Sequence, residues 1–172
     1  MPRLQSSFDP GTETARANRE AWLRLIGGFR AVEARTRAAS ERARPIFDRR
    51  GQLLPRERVT RVLDAGSPFL ELSTLAGWCQ DNPDPEKTLP GGGLVAGIGY
   101  VSGVRTMVMA SDSGIEAGAI QPRGLDKVLR MLRIALENKL PLLYLVESAG
   151  ANLLRYRVED FVLGGGLFCG MT

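Results

Sequence analysis

A run of small residues, Ser148 to Ala151, follows an apolar segment that ends at Val146, with only Glu147 between them. Small residues at the carboxyl end of a buried strand let a ligand approach the backbone closely. If a helix follows this turn, the main-chain N–H groups of Ala149 and Gly150 would point into the crevice where α/β sheets bind ligands. Two such donors can stabilise an enolate or a tetrahedral oxyanion, although a plain strand-to-helix turn fits the same spacing.

A second small-residue segment runs from Ser111 to Ala119 and also follows an apolar, strand-like run. Two such segments at one edge of a sheet would form a pocket wall with few side chains in the way. Asp112 and Glu116 lie in this segment and are acid–base candidates by position, but residues so placed are more often helix caps or surface charges.

Several kinds of chemistry are excluded by composition. The chain contains no histidine, which removes Ser-His-Asp and Cys-His nucleophilic sites, His-ligated metals and a histidine base. Its two cysteines cannot form a Cys-only zinc ribbon, so we expect no metal site. The glycines between Gly97 and Gly103 only superficially match a dinucleotide fingerprint, because the third glycine is one residue late and a strand follows. We interpret them as hairpin glycines.

Hydrophobic periodicity and turn residues predict an α/β protein with three or four strands. The predicted helices cover residues 12 to about 44, 55–63, 125–139 and about 158–168, and the predicted strands cover 69–75, 94–101, 104–110 and 141–146. The last of these strands is a fully apolar run of the buried type. Residues 94–110 form a predicted hairpin that turns at Ser102 and Gly103.

The formal net charge of +4 is distributed unevenly: residues 1–61 carry fourteen arginines and seven acidic residues. Eight of these arginines are interspersed with acidic residues on the predicted helix of residues 12–44. They lack the aromatic residues of a nucleic-acid site, so they predict a solvated or partner-packed surface. No apolar run reaches the roughly 18 residues of a membrane span, and no secretory pattern is visible. We therefore predict a cytoplasmic location with no nucleic-acid or membrane partner.

Taken in order along the chain, these segments resemble a known family. The segments that match are Arg50-Gly-Gln-Leu-Leu-Pro-Arg-Glu-Arg58, Leu63-Asp-Ala-Gly-Ser67, Phe69-Leu-Glu71, Gly97-Ile-Gly-Tyr-Val-Ser-Gly103, Ala110-Ser-Asp112, Ala117-Gly118 and Leu140 to Asn152. Together they resemble the carboxyltransferase (β) subunits of biotin-dependent acyl-CoA carboxylases. The Glu147-Ser-Ala-Gly-Ala-Asn152 form is more similar to the methylcrotonoyl- and geranyl-CoA types than to the propionyl or acetyl types.

The resemblance implies a crotonase-like ββα fold, with residues 1–50 as a helical extension and 51–172 as the first part of the acyl-CoA-binding domain. The remainder of that domain and a C-terminal domain would be missing, so we expect a fragment that is inactive alone. The resemblance also implies an acyl-CoA substrate, no directly bound cofactor, carboxybiotin supplied by a biotin carboxylase and carrier subunit, and a homo-oligomeric full-length form.

The implied reaction moves a carboxyl group from carboxybiotin to the acyl-CoA through an enolate, with the amides of Ala149 and Gly150 as oxyanion donors. The expected substrate contacts are Ser111, Ala117, Gly118, Ser148 and Ala151. The chain departs from the family pattern at Glu116, where relatives often carry Lys, and at Ala149, where they carry Gly. Two alternatives stay open: a crotonase-type enoyl-CoA hydratase or isomerase, and a non-catalytic truncated paralogue.

Overall fold

The structure is a computed structural model that describes residues 6–80, 82–151 and 157–171. Its helices are α1 (Glu13–Glu41), α2 (Arg44–Arg49), α3 (Pro55–Val62), α4 (Pro122–Glu137) and α5 (Val158–Met171). Its strands are β1 (Leu70–Glu71), β2 (Leu94–Val101), β3 (Val104–Ser111) and β4 (Leu142–Leu145), which form one sheet in the order β1-β2-β3-β4. The predicted α/β class is confirmed, but the first strand is only two residues long.

The β2–β3 hairpin forms as predicted, with Leu94 opposite Ser111 and Val101 opposite Val104. The carboxylate of Asp64 stabilises its turn by accepting the amides of Ser102 and Gly103, each at 2.7 Å. A Cβ at Gly97 would overlap the carbonyl oxygen of Leu70 on β1. Gly97 therefore permits the close approach of a neighbouring strand, which confirms its interpretation as a hairpin glycine.

The two faces of β3 are both covered, because side chains alternate between the faces of a strand. Met107 and Met109 pack against α4 on one face, while Val108 and Ala110 pack with Val59 of α3 on the other. All four β3 residues are fully buried. Burial of the methionine and valine side chains contributes about 1.5–3 kcal/mol each, so β3 lies at the centre of the core.

The prediction that residues 141–146 form a fully buried strand is wrong. β4 pairs in parallel with β3, from Met107 opposite Leu142 to Ala110 opposite Leu145, and has no other partner strand in the described part of the chain. Its residues are consequently half-buried or exposed. Apolar content alone does not distinguish a central strand from the edge strand seen here.

Helix α1 begins where predicted, since Thr12 accepts the amide of Ala15 at 3.2 Å and so caps it. The carboxyl-terminal part of α1 reaches the sheet, where the Ser40 hydroxyl donates to Asp112 at 2.6 Å. The apolar stripe farther back on the helix is exposed at Trp22, Leu25, Ile26 and Phe29. None of the described helices is long and apolar enough to cross a membrane. The division of the chain at residue 50 stays a prediction.

A buried lysine connects α4 to the three-glycine turn (Gly91 to Gly93) before β2. The ammonium of Lys127 donates to the carbonyl oxygens of Leu94 at 2.6 Å and Gly91 at 3.2 Å, and the residue is 3% exposed. It lines a cavity of about 20 Å³, enough for roughly one water molecule, together with Arg56, Glu71 and Asp112. Burial lowers the pKa of Lys127 to about 8.

We predict that Lys127 makes the free energy of unfolding rise with pH between about 8 and 10.4. In that interval the unfolded chain holds a proton that the folded chain has released, whereas below pH 8 both states are protonated and no slope arises. The gain is on the order of 3 kcal/mol. It is measured by urea unfolding of the unchanged chain and of Lys127→Met at pH 7.5 and 10. A difference between the two proteins that does not change with pH would contradict the assignment.

Candidate functional site

The two small-residue segments lie side by side, as the sequence predicts. β3 and β4 are parallel neighbours, so the segments that follow them leave the sheet at the same edge. The amide of Ile120 donates to the carbonyl of Gly150 at 2.9 Å, and Ile120 forms a parallel bridge with Ala151. The pairing of β3 with β4 is thus resumed beyond the strands, and it brings residues 117–120 against residues 148–151.

This pairing engages one of the two amides assigned to oxyanion binding. Ala149 is exposed, but its N–H donates to the carbonyl oxygen of Ala117 at 3.1 Å. The expectation that both amides are unoccupied is therefore not met at Ala149. The physical reason is that parallel neighbours satisfy each other's backbone groups wherever their spacing allows it.

The other amide has a weaker partner. Gly150 donates its N–H to the Ser148 hydroxyl at 3.0 Å, and the same hydroxyl donates to the carbonyl of Gly118 at 2.6 Å. Gly150 is exposed, and a Cβ built on it would meet nothing within 4 Å. The surface above this residue is therefore open. A hydroxyl can rotate to other partners, so the Gly150 amide is the easier of the two to release.

The turn that meets Ser148 and Ala149 is strained. Glu116 and Ala117 have φ values of 46° and 52°, in the left-handed region that costs an L-residue roughly 1–2 kcal/mol each. Gly118 follows with φ 70°, and a Cβ there would overlap the carbonyl oxygen of Glu147. Only glycine fits at this position, so Gly118 sets the distance between the two segments.

The remaining predicted residues are placed differently. Ser111, the last residue of β3, is 2% exposed, and its hydroxyl is buried without a hydrogen-bond partner among the described residues, so its role as a substrate contact stays a prediction. Asp112 is 4% exposed, accepts the Ser40 hydroxyl and donates its amide to Gly93 at 2.8 Å. Burial raises the pKa of its carboxyl group. Asp112 therefore connects α1 to the sheet and does not face an open site.

Glu116 lies on the rim of a cleft of about 120 Å³ between the turn and the loop that precedes β2. The amide group of Gln121 donates to its carboxylate. Thr88, Gly93 and Ile115 also line this cleft. The turn from Ile115 to Gln121 therefore has two sides. Ile115, Glu116, Ala119 and Gln121 line the cleft, whereas Ala117 and Gly118 contact the Ser148–Gly150 turn.

Sequence reasoning missed two charged residues that bind the segments of the candidate site. Lys127 donates to the carbonyl of Gly91, in the three-glycine turn that lines the cleft, and Arg58 of α3 binds Glu147. A lysine on the apolar side of α4, next to Val128, was the available signal for the first. Arg58 gave no comparable signal, because its partner is 89 residues away in the sequence.

We predict that Ser148→Ala increases solvent exchange of the Gly150 amide about fivefold, because one hydrogen bond contributes about 1 kcal/mol. The measurement is the exchange rate of that amide by NMR. Ser113→Ala is the matched control, since the Ser113 hydroxyl is buried with no partner among the described residues. Equal Gly150 rates in Ser148→Ala and the unchanged chain would show that the hydroxyl does not hold this amide.

Comparison with known proteins identifies a family for most of the chain. A family model described as "Carboxyl transferase domain" matches residues 48–170. The crystal structure of the P. aeruginosa geranyl-CoA carboxylase β subunit is 50% identical, with a TM-score of 0.86 over 98% of this chain and 31% of that one. This neighbour confirms the predicted crotonase-like fold.

Two sequence relatives agree. The biotin-dependent 3-methylcrotonyl-coenzyme A carboxylase β1 subunit of Mycobacterium tuberculosis is 47% identical over 116 residues, 67% of this chain and 21% of the relative. The probable mitochondrial methylcrotonoyl-CoA carboxylase β chain of Drosophila melanogaster is 39% identical over 153 residues, 88% and 26% respectively. The chain thus spans 21–31% of the length of these three proteins. On this basis the chain belongs to the carboxyl transferase domain family.

Proposed function

We propose that this chain is part of the carboxyltransferase component of a biotin-dependent acyl-CoA carboxylase, and that it binds the acyl-CoA. The observation that carries the proposal is the family match over residues 48–170 together with the exposed residues Ala149 and Gly150 inside that range. The methylcrotonoyl- and geranyl-CoA carboxylase names of the relatives favour a branched, unsaturated acyl group.

The proposed role of the turn is to bind the thioester carbonyl through the main-chain amides of Gly150 and Ala149. Loss of a proton from the acyl group, which the biotin nitrogen left by the departing carboxyl group would accept, would turn this carbonyl into an enolate oxygen. The two amides, once turned from their present partners, would stabilise its charge. Removal of one donor of this kind costs about 3–4 kcal/mol in other enzymes. Backbone donors suit a chain without histidine, because an amide stabilises the negative charge through a hydrogen bond and keeps its proton.

Substrate binding at both amides requires each to exchange its present partner. Gly150 exchanges a rotatable hydroxyl, while Ala149 exchanges the carbonyl of Ala117. The left-handed conformations of Glu116 and Ala117 reduce the cost of moving that carbonyl, because strain is relieved when the turn shifts. Ala117, Gly118, Ser148 and Ala151 then border the substrate with little side-chain bulk.

Carboxybiotin, supplied by a biotin carboxylase and carrier subunit, would provide the carboxyl group that the enolate carbon takes up. We assign no described residue to biotin, and we propose that this chain binds acyl-CoA without completing the transfer by itself. Association with that partner, a homo-oligomeric assembly and a cytoplasmic location stay predictions.

We predict that Gly150→Val weakens binding of 3-methylcrotonoyl-CoA by at least tenfold, about 1.4 kcal/mol, because a side chain would cover the open face of the turn. The measurement is isothermal titration calorimetry of the chain with the thioester. Gly103→Val is the matched control: its φ of 76° carries similar strain and its Cβ also meets nothing within 4 Å, but it lies at the hairpin turn.

Three outcomes would contradict the proposal. Equal affinity in Gly150→Val and Gly103→Val would remove the turn from the binding site. Absence of binding by the unchanged chain would favour a non-catalytic paralogue. Hydration of the enoyl thioester by the chain alone, followed by its ultraviolet absorbance, would favour a hydratase.

A further inference from the structure

Arg58 makes a two-point contact with the chain immediately before the Ser148–Gly150 turn. Its Nη1 atom lies 2.8 Å from a carboxylate oxygen of Glu147, and its Nη2 atom donates to the carbonyl of Leu145 at 3.0 Å. Leu145 is the last residue of β4, and Glu147 is the residue before Ser148. The guanidinium therefore spans the segment in which β4 ends and the turn begins.

Glu147 is held from a second direction by the other small-residue segment. Its carbonyl oxygen lies so close to Gly118 that no Cβ would fit between them, and the next residue donates its hydroxyl to Gly118. The side chain of Glu147 is thus fixed by α3 while its backbone is fixed by the strained turn. Because Ser148 is the next residue, a shift of Glu147 would move Ser148 as well.

The contact of Arg58 with Glu147 and Leu145 fixes the orientation of these two acceptors. The two side chains are 24% and 30% exposed, and the Nε atom of Arg58 is buried with no partner among the described residues. A guanidinium presents its donors in a rigid planar fork, so it can bind a carboxylate and a carbonyl at a fixed angle. A lysine in its place would keep the charge but could not hold both acceptors in this geometry.

We propose that Arg58 is a positioning residue for the acyl-CoA site: through Glu147 it sets where the amides of Ala149 and Gly150 lie. This rests on the proposed function for its ligand, but not for its geometry. Arg58 does not line the cleft near Glu116. Its hydrogen bonds go to Glu147 and to Leu145 of β4, so it acts on the turn through these two residues.

A neighbouring pair offers a matched control. Arg56 lies two residues before Arg58 on α3 and forms a two-point ion pair with Glu71, at 2.6 and 2.9 Å. Its side chain is 34% exposed, and it connects α3 to β1, away from the Ser148–Gly150 turn. Arg56→Lys therefore tests the loss of a guanidinium fork on the same helix without the link to the turn.

The experiment compares Arg58→Lys with Arg56→Lys in three measurements: urea unfolding, NMR shifts and exchange rates of the Ala149 and Gly150 amides, and affinity for 3-methylcrotonoyl-CoA. We predict that both variants lose stability. Only Arg58→Lys should also shift the two amide signals, raise their exchange rates about fivefold and weaken binding about tenfold. Glu147→Gln should reproduce these changes, and it serves as the second variant where Arg58→Lys fails to fold.

Unchanged amide signals in Arg58→Lys and Glu147→Gln, or equal changes in Arg56→Lys, would overturn the proposal and leave Arg58 as a stability contact. The amide signals are read without ligand. If the unchanged chain does not bind the thioester, the proposed function fails, while the amide signals still decide whether Arg58 positions the turn.

Discussion

The contact between residues 117–120 and residues 148–151 determines the geometry of the candidate site. It consists of backbone hydrogen bonds from Ile120 to Gly150 and from Ala149 to Ala117, with the Ser148 hydroxyl bound to Gly118. The close approach depends on Gly118, where any side chain would overlap Glu147. Together with the β3–β4 pairing and the Arg58–Glu147 ion pair, this contact sets the position of the Ser148–Gly150 turn relative to β3.

The contact also explains why the site is closed at one amide and open at the other. Ala149 is satisfied by a carbonyl, which is a good acceptor, whereas Gly150 is satisfied by a hydroxyl that has a second partner. A ligand carbonyl that replaces both acceptors gains two donors at the cost of two hydrogen bonds, one to the carbonyl of Ala117 and one to the hydroxyl of Ser148. The left-handed residues Glu116 and Ala117 lie where that replacement would occur, so their backbone strain is next to the carbonyl that the proposed binding displaces.

Local patterns in the sequence predicted the parts of the fold that depend on neighbours in the chain. The hairpin turn at Ser102 and Gly103 and the cap at Thr12 follow from residues a few positions apart, and the adjacency of the two small-residue segments follows from the sheet edge. The engaged Ala149 amide could not be predicted, because it depends on the register between segments about 30 residues apart. The Lys127 and Arg58 contacts were missed for the same reason, since their partners lie 33 and 89 residues away.

The central claim is that the Ser148–Gly150 turn binds the carbonyl oxygen of an acyl-CoA through main-chain amides. Its most direct test is isotope-edited infrared difference spectroscopy of 3-methylcrotonoyl-CoA carrying ¹³C at the thioester carbonyl, free and bound to the chain. Two amide donors weaken the C=O bond, so the account predicts a carbonyl band at lower wavenumber in the complex than in water. A bound thioester whose carbonyl band stays at its free position, or moves to higher wavenumber, would contradict it.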